Sequence, residues 1–164
     1  SASAASGTPP ASLQASAREM SRWAAANLGM SHTHMVDHSG LGDSSRMTAE
    51  DLVTALVQVR RHGVLRPLLK PFPMRDAKGR LIKNHPIKVD AKTGTLNFVS
   101  GLGGFLTAPD GTELAFAIFT ADLPSRARSK KSADEIPRGA RPWNRKSKQL
   151  QQKLIEHWGA VHRG

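Results

Sequence analysis

The order of periodic segments predicts an α+β protein in which a small antiparallel sheet is flanked by helices. Two segments with apolar residues at helical spacing come first, three segments with alternating or continuous apolar residues follow, and a further amphipathic segment ends the chain. No internal repeat interrupts this order. The 164 residues are enough for one domain with a hydrophobic core.

The first helix is predicted to begin at Ser12 and to end at Gly29, and the second to begin at Thr48 and to end at Gly63. The sequence Thr-Ala-Glu-Asp at 48–51 supplies an N-cap and places acidic residues at the positive end of the helix dipole. The expected buried positions recur every three or four residues: Leu13, Ala17, Met20 and Ala24, then Leu52, Val53, Leu56 and Val57.

Three strands are predicted over residues 87–95, 98–107 and 112–121. The last two are joined by Ala-Pro-Asp-Gly, a turn sequence suited to a hairpin. The third strand is apolar on both faces, which predicts a central position in the sheet.

The remaining segments connect these elements. Residues 64–85 are predicted to be a loop, because they contain three prolines and an Asp-Ala-Lys-Gly turn. The basic, proline-containing residues 122–142 are predicted to be extended or mobile. A last helix is expected within 145–158, continuing toward residue 161, with a buried stripe of Leu150, Leu154, Trp158 and Val161.

The composition limits the possible functions. The net charge is +11, and +8 of it lies in residues 125–163, which indicates an anionic partner or surface. The chain has no cysteine, so disulfides, thiolate catalysis and Cys-ligated zinc are excluded. No apolar run reaches the roughly 20 residues of a membrane span. Residues 1–10 are expected to be a disordered linker or a cut end, because they lack the features of a signal peptide and no initiating Met precedes them.

The first predicted strand carries the most chemistry. Lys92, Thr93 and Thr95 offer an ammonium and two hydroxyls that could hold a carboxylate, while Gly94 lets a substrate backbone come close. At a sheet edge, such a strand could also pair with an extended peptide. A Lys-Thr-Gly triplet also recurs by chance at strand ends. The glycines in 101–104 either admit a ligand or serve packing, and they do not form a dinucleotide fingerprint.

The segment Val-Asp-His-Ser-Gly-Leu-Gly at 36–42 contains Asp37, His38 and Ser39. Adjacent residues rarely reach triad geometry, and the segment is not a Gly-x-Ser-x-Gly elbow. His32, His34, His38 and Asp37 could bind a metal, but solvated or hydrogen-bonded loop histidines are the favoured interpretation, so no metal or cofactor is predicted.

Two segments together resemble a known family. Residues 36–56, "VDHSGLGDSSRMTAEDLVTAL", and residues 88–119, "KVDAKTGTLNFVSGLGGFLTAPDGTELAFAIF", resemble the C-terminal part of serine-type D-Ala-D-Ala carboxypeptidases/endopeptidases of peptidase family S13, the class C low-molecular-mass penicillin-binding proteins. The tail 136–158 resembles their C-terminal helix and the segment that leads into it. The resemblance covers roughly residues 15–160.

This resemblance implies a penicilloyl-serine transferase fold, with residues 11–164 as the C-terminal part of a transpeptidase-like domain. It implies acyl transfer through a serine ester on peptidoglycan stem peptides, trapped by β-lactams. Lys92, Thr93 and Gly94 match the family's third motif and would bind the substrate carboxylate, with the Thr95 N–H supplying half of the oxyanion hole. Ser39 matches the segment expected near the cleft; His38 and Gly42 depart from the family's Gly and Ser.

The other two motifs of the family are absent from these residues. No Ser has Lys at plus three; Ser125, with Arg128, comes nearest, and Arg stays protonated in proteins. No Ser has Asn at plus two. We therefore expect the chain to be a C-terminal piece of a longer enzyme, inactive alone, with a non-catalytic relative as the alternative.

The expected partners follow from the same resemblance. They are peptidoglycan stem peptides, β-lactams and the missing N-terminal segment, which would carry a signal peptide to the periplasm. Residues 125–148 are interpreted first as a solvated basic loop and second as a contact to an anionic membrane surface. A basic envelope or nucleic-acid module remains the alternative function, although aromatic residues make up only 5% and no nucleic-acid motif is present.

Overall fold

The computed structural model describes residues 12–131 and 134–161, so the disorder predicted for residues 1–10 lies outside the described residues. The described chain is α+β, as predicted. Its elements are α1 (Leu13–Leu28), α2 (Ala49–Arg61), a 3₁₀ turn (Arg66–Leu68), β1 (Lys70–Pro71), β2 (Lys88–Leu96), β3 (Val99–Thr107), β4 (Glu113–Ala121), α3 (Leu123–Ser129) and α4 (Ala140–Val161). No helix among the described residues is long and apolar enough to cross a membrane.

The chain divides into two compact units, residues 1–63 and 64–164. The first contains α1 and α2, whose ends confirm the capping residues expected from the sequence. The Ser12 side chain accepts from Ala15 N–H, Gly29 has a φ of 72°, and Thr48 accepts from Asp51 N–H. These local contacts satisfy N–H groups that the first turn of a helix leaves unpaired.

The buried faces of α1 and α2 agree with the prediction only in part. Ala17, Ala24 and Leu56 are buried, whereas Leu13 and Val57 are exposed. Leu13 is the first residue of its helix and lies beyond the turns that pack. In α2 the buried face includes Asp51, so it is rotated from the purely apolar stripe.

The second unit contains a four-stranded antiparallel sheet in the order β1-β2-β3-β4. The hairpin between β3 and β4 turns at the predicted sequence, where Gly111 has a φ of 94°. Two expectations are wrong. Strand β1 was missed within the predicted loop 64–85, because its two residues are specified by pairing with distant Ala91 and Asp90. Strand β4 lies at the end of the sheet among the described residues, although its composition predicts a central strand.

One face of the sheet is covered by α4. The core there joins residues of all three long strands to the helix: Met74, Ile87, Val89, Ala91, Leu102, Leu106, Phe116, Ile118 and Ile155. Gly159 lets the helix approach β2 closely, since an added Cβ would lie 2.9 Å from Ile87 Cγ1. Burial of this face supplies the main apolar driving force for the unit.

The buried stripe predicted for α4 is wrong in detail. Leu150 and Val161 are exposed, whereas the polar Ser147 and Gln151 lie in the contact with the sheet. Gln151 Nε2 donates to Ser100 Oγ at 3.0 Å, and the Ser147 and Thr120 hydroxyls share a hydrogen bond. These pairs remove the cost that burial of polar groups would otherwise carry.

On the opposite face of the sheet, Arg66 binds side chains of three neighbouring strands. Its Nε donates to Asp90 Oδ2 at 2.8 Å and its Nη2 to Thr107 Oγ1 at 2.7 Å, and it forms an ion pair with Glu113. The guanidinium also lies 5.8 Å from the centroid of the Phe105 ring. One planar group with five donors thereby links three strands.

The prediction that segment 122–142 is extended or mobile, and the interpretation of 125–148 as a loop, are both wrong where α3 and the start of α4 form. The Asp122 side chain accepts from Ser125 N–H and begins α3, with Pro124 in its first turn. That backbone N–H and the Ser125 side chain stabilise the carboxylate and hold the pKa of Asp122 below its usual value, although burial opposes them. The N-cap Asp122 and the proline after it are therefore the sequence features that indicate a helix here, and the basic composition of the segment hides them.

Candidate functional site

The second half of β2 forms an exposed edge of the sheet. Strand β1 pairs with β2 only at Ala91 and Asp90, and Phe72 N–H extends that pairing to Val89 O at 2.8 Å. From residue 92 to 96, β2 pairs only with β3 in the part of the chain that the structure describes. The outer backbone groups of this stretch are therefore open to an additional strand.

The side chains at this edge have few contacts. Lys92, Thr93, Gly94 and Thr95 are all exposed. Neither threonine hydroxyl has a hydrogen-bond partner among residues 12–131 and 134–161, and the Lys92 ammonium pairs with no carboxylate there. Lys92 Nζ instead donates to the Thr93 carbonyl at 2.7 Å. The three groups are thus available to an anionic ligand.

Strand alternation places these groups on two faces. Thr93 and Thr95 share the face of Val89 and Ala91, whereas Lys92 and Gly94 lie on the opposite face. The contact of Lys92 Nζ with the main chain of its neighbour shows that the lysine folds back along its own strand. A ligand at the edge would therefore meet hydroxyls from one face and the ammonium from the other.

Glycines near this edge serve different purposes. A Cβ on Gly94 would meet nothing within 4 Å, so the backbone there is bare. A Cβ on Gly104 would clash with the Asp90 carbonyl and lie 2.7 Å from Ala91 Cα, so that glycine is needed for strand packing. A Cβ on Gly101, which pairs with Gly94, would lie 3.4 Å from Phe119 Cδ1, so the Phe119 ring covers that position. Of these three glycines, only Gly94 leaves room for a ligand.

Ser39 belongs to the first unit and lies in an exposed turn organised by Asp37. Asp37 Oδ1 accepts from Ser39 N–H at 3.0 Å and from Gly40 N–H at 3.1 Å, and Ser39 Oγ accepts from Leu41 N–H at 3.0 Å. A Cβ on Gly42 would lie 2.6 Å from Val36 Cγ2, which accounts for glycine at that position. The hydrogen bonds explain the conformation of the turn without assigning it a ligand.

The buried polar centre of the first unit is Asp51. Its Oδ2 accepts from Thr33 Oγ1 at 2.7 Å and from His32 N–H at 2.9 Å. Burial acts to raise the pKa of Asp51, but these hydrogen bonds and the nearby imidazole of His32 outweigh it and hold the pKa below its usual value. Asp51 therefore attaches the loop after α1 to the start of α2.

The histidines of the loop are not gathered into one site. His32 Nδ1 lies 3.5 Å from Asp51 Oδ1, whereas the backbone of His34 pairs with Arg46. Within the described ranges, no group of three or more His, Cys, Asp or Glu side chains is close enough together to hold a metal ion.

Ser125, the nearest approach to a nucleophile motif, is a structural residue of α3. Its Oγ accepts from Arg128 Nη2 at 2.8 Å, and its N–H is used by Asp122. A permanently protonated guanidinium cannot remove the hydroxyl proton. The arrangement therefore gives Ser125 no general base from Arg128.

Comparison with known proteins agrees with the resemblance stated above. The model of the D-Ala-D-Ala carboxypeptidase 3 (S13) family matches residues 2–140. Among solved structures, the chain is similar to a predatory endopeptidase from Bdellovibrio bacteriovorus in complex with an immunity protein, with 21% identity and a TM-score of 0.51. The match covers 88% of this chain and 40% of the endopeptidase, and therefore supports the fold. No curated protein matches.

Proposed function

Because the chain belongs to the D-Ala-D-Ala carboxypeptidase 3 (S13) family, we propose that it forms the carboxylate-binding wall of a serine-type carboxypeptidase/endopeptidase acting on peptidoglycan stem peptides in the periplasm. One observation carries the proposal. The outer edge of β2 from residue 92 is exposed and lacks a neighbouring strand among the described residues. It presents an ammonium with no carboxylate partner there and two hydroxyls with no hydrogen-bond partner there.

The edge of β2 is suited to an extended peptide. A stem peptide ending in D-Ala-D-Ala would lie beside β2 and exchange main-chain hydrogen bonds with it, as in other cases of strand addition. Gly94 leaves space for the peptide backbone. Lys92, with Thr93 and Thr95, would bind the terminal carboxylate through charge-assisted hydrogen bonds.

The reaction requires a serine outside these residues. That hydroxyl would attack the penultimate D-Ala carbonyl, its proton would pass through a general base to the leaving amine, and the terminal D-Ala would depart. The Thr95 N–H would stabilise the oxyanion together with the N–H of the nucleophile. Water would then hydrolyse the ester. A β-lactam would acylate the same serine by opening its ring.

Two facts support a nucleophile on another segment. The chain contains no Ser-x-x-Lys, and it spans about 40% of the endopeptidase that it resembles. The exposed edge of β4, apolar from Leu114 to Ala121 apart from Thr120, is the place where a further strand of that segment would extend the sheet. We therefore expect no acyl-enzyme on this chain alone.

Fluorescent penicillin labelling of the purified protein, followed by a denaturing gel and intact mass, tests this function. A label on a longer co-purifying polypeptide is the expected result. A label on the 164-residue chain itself would contradict the assignment of the nucleophile to another segment. A complete absence of label would favour a non-catalytic relative.

Lys92 can be tested in a polypeptide that also carries the nucleophile segment. Lys92→Ala should weaken transition-state binding by about 2–5 kcal/mol, because a desolvated charge pair with the substrate carboxylate is lost. Lys88→Ala is the matched control, because Lys88 is exposed and lies on the same face of the same strand as Lys92, four residues earlier. Equal kcat/KM values for the two variants with a D-Ala-D-Ala peptide would contradict the role of Lys92.

A further inference from the structure

Between Lys131 and Lys148, the second unit carries six exposed cations that have no carboxylate partner among the described residues. No ion pair joins these side chains to an acidic residue in the part of the chain that the structure describes. They are Lys131, Arg138, Arg141, Arg145, Lys146 and Lys148. Unpaired positive charge at this density repels itself, and an anionic surface would relieve that repulsion.

The segments that carry these cations are attached to one end of the sheet. The start of α3 is attached there, because Asp122 N–H donates to Phe98 O at 2.9 Å. The segment before α4 is attached through Asn97 Nδ2, which donates to Glu135 O at 2.9 Å. The second turn of α4 is attached through Asn144 Nδ2, which donates to Leu96 O at 3.2 Å. We call this region, the turn between β2 and β3 with the six cations around it, the basic end.

Arg141, Arg145 and Lys148 form a row on α4. Their spacings of four and three place them on one side of the helix, over about 10 Å of its length. The helix packs on the sheet through Ser147, Gln151 and Ile155, whereas the three side chains of the row are exposed. Removal of these charges should therefore leave the packing of α4 intact.

Exposed apolar side chains accompany the cations. Leu123 is 68% exposed and directly follows Asp122, and Ile136 is 47% exposed and directly follows Glu135. Both therefore lie next to residues hydrogen-bonded to the turn between β2 and β3. Cations mixed with exposed aliphatic groups are typical of surfaces that lie in the headgroup region of a bilayer.

Trp143 of the basic end packs against another aromatic ring of the protein. Trp143 packs edge-on against Phe98, with ring centroids 6.2 Å apart and an interplanar angle of 62°, and it is half-buried. Single-stranded nucleic acids bind largely by stacking bases on free aromatic faces. This packing favours a lipid surface over a nucleic acid as the anionic partner.

We propose that the basic end docks peripherally on a bilayer containing anionic phospholipids. The six cations contact the lipid phosphates, and Leu123 and Ile136 enter the headgroup region. This inference is independent of the peptidase function, because it involves neither Lys92 nor a nucleophile.

Sedimentation with vesicles of phosphatidylcholine, with and without phosphatidylglycerol, tests the proposal on the whole chain. Binding should require phosphatidylglycerol and should fall between about 0.1 M and 1 M salt, as the Debye length shortens from roughly 10 to 3 Å. The triple substitution Arg141→Gln, Arg145→Gln, Lys148→Gln should weaken binding by roughly 100-fold, since each cation near a charged membrane contributes about tenfold or less.

The matched control removes the same charge elsewhere. Lys70→Gln, Lys78→Gln, Lys83→Gln alters three exposed cations of the second unit that lie away from the basic end, and it should leave vesicle binding within about threefold because lipid contact is local. Leu123→Ser with Ile136→Ser should weaken binding by roughly tenfold at unchanged net charge.

Three results would overturn the proposal. The first is equal binding to vesicles with and without phosphatidylglycerol, or no binding to either. The second is an equal loss in the two triple variants, which would show an effect of net charge alone. The third is tighter binding to an oligonucleotide than to the vesicles, unaffected by the Leu123 and Ile136 substitutions. Circular dichroism of each variant confirms that the fold is retained.

Discussion

The two halves of strand β2 share one backbone but have opposite surroundings. Residues 89–91 are flanked by β1 and Phe72 on one side and by β3 on the other, and they contribute Val89 and Ala91 to the core under α4. Residues 92–95 pair on one side only among the described residues and are exposed throughout. The first half is held in place by packing, so the second half can present polar groups at a fixed position without contributing much to stability.

The largest stability effect is expected in the core beneath the first half. Ile155 is completely buried on α4 and contacts the strands of the sheet. Ile155→Ala should lower the free energy of unfolding by about 2–5 kcal/mol, because it leaves a cavity. Leu150→Ala, on the exposed side of the same helix, should cost less than about 1 kcal/mol. Denaturant unfolding of both variants measures the difference, and similar losses would place Leu150 in the core instead.

The second comparison is between Gly104, which pairs with the first half of β2, and Gly94, which lies in the second half. Gly104→Ala should lower the free energy of unfolding by about 1–3 kcal/mol, because its methyl group would meet the backbone of Asp90 and Ala91. Gly94→Ala meets nothing within 4 Å and should change stability by less than about 0.5 kcal/mol. A thermal melt compares them. A larger loss for Gly94→Ala would contradict the open edge.

The buried polar contact between α4 and β3 should give an effect of similar size to that of Gly104. Ser100→Ala removes the acceptor of Gln151 Nε2 and should cost about 1–3 kcal/mol, since the amide remains buried without its partner. In the double variant with Gln151→Leu, much of that loss should be recovered. Strictly additive losses in urea unfolding would show that the two side chains are not coupled.

The smallest stability effect is expected at the functional edge. Lys92→Ala should change the free energy of unfolding by less than about 0.5 kcal/mol, because the ammonium is exposed and donates to the carbonyl of the adjacent Thr93. Circular dichroism during urea unfolding measures it. A loss above about 1 kcal/mol would assign Lys92 a structural role.

Local signals in the sequence predicted most of the fold. The caps Ser12 and Thr48 and the glycine after α1 bounded the first two helices, because each acts through contacts within a few residues. Alternation and the turn before Gly111 located β2, β3 and β4.

Features that depend on distant pairing were not predicted. Strand β1 exists because Lys70 and Pro71 meet β2 some twenty residues later, and no local pattern marks it. The face of α4 that packs on the sheet includes Ser147 and Gln151. A search for apolar residues at helical spacing assigns these polar residues to the solvent side, because their partners Thr120 and Ser100 are distant in the sequence. For the same reason, an apolar composition did not place β4 correctly.

The candidate site was only partly visible in the sequence. The triplet at 92–94 and its neighbour Thr95 were identified by resemblance to a family motif, whereas their exposure and lack of partners follow from where β1 ends. Ser39 was singled out by the same resemblance, and its substrate contact remains a prediction. The basic end was visible as charge, but its apolar side chains and its position became clear from the hydrogen bonds to residues 96–98.

The most direct test of the central claim is an amide NMR titration of the isotope-labelled chain with a peptide ending in D-Ala-D-Ala. We expect the changes in amide chemical shift to be concentrated at Thr93, Gly94 and Thr95. They should be absent when the peptide carboxylate is amidated and should be greatly reduced in Lys92→Ala but not in Lys88→Ala. Shifts elsewhere in the chain, or shifts that survive amidation of the peptide, would contradict the assignment of this edge as a carboxylate-binding wall.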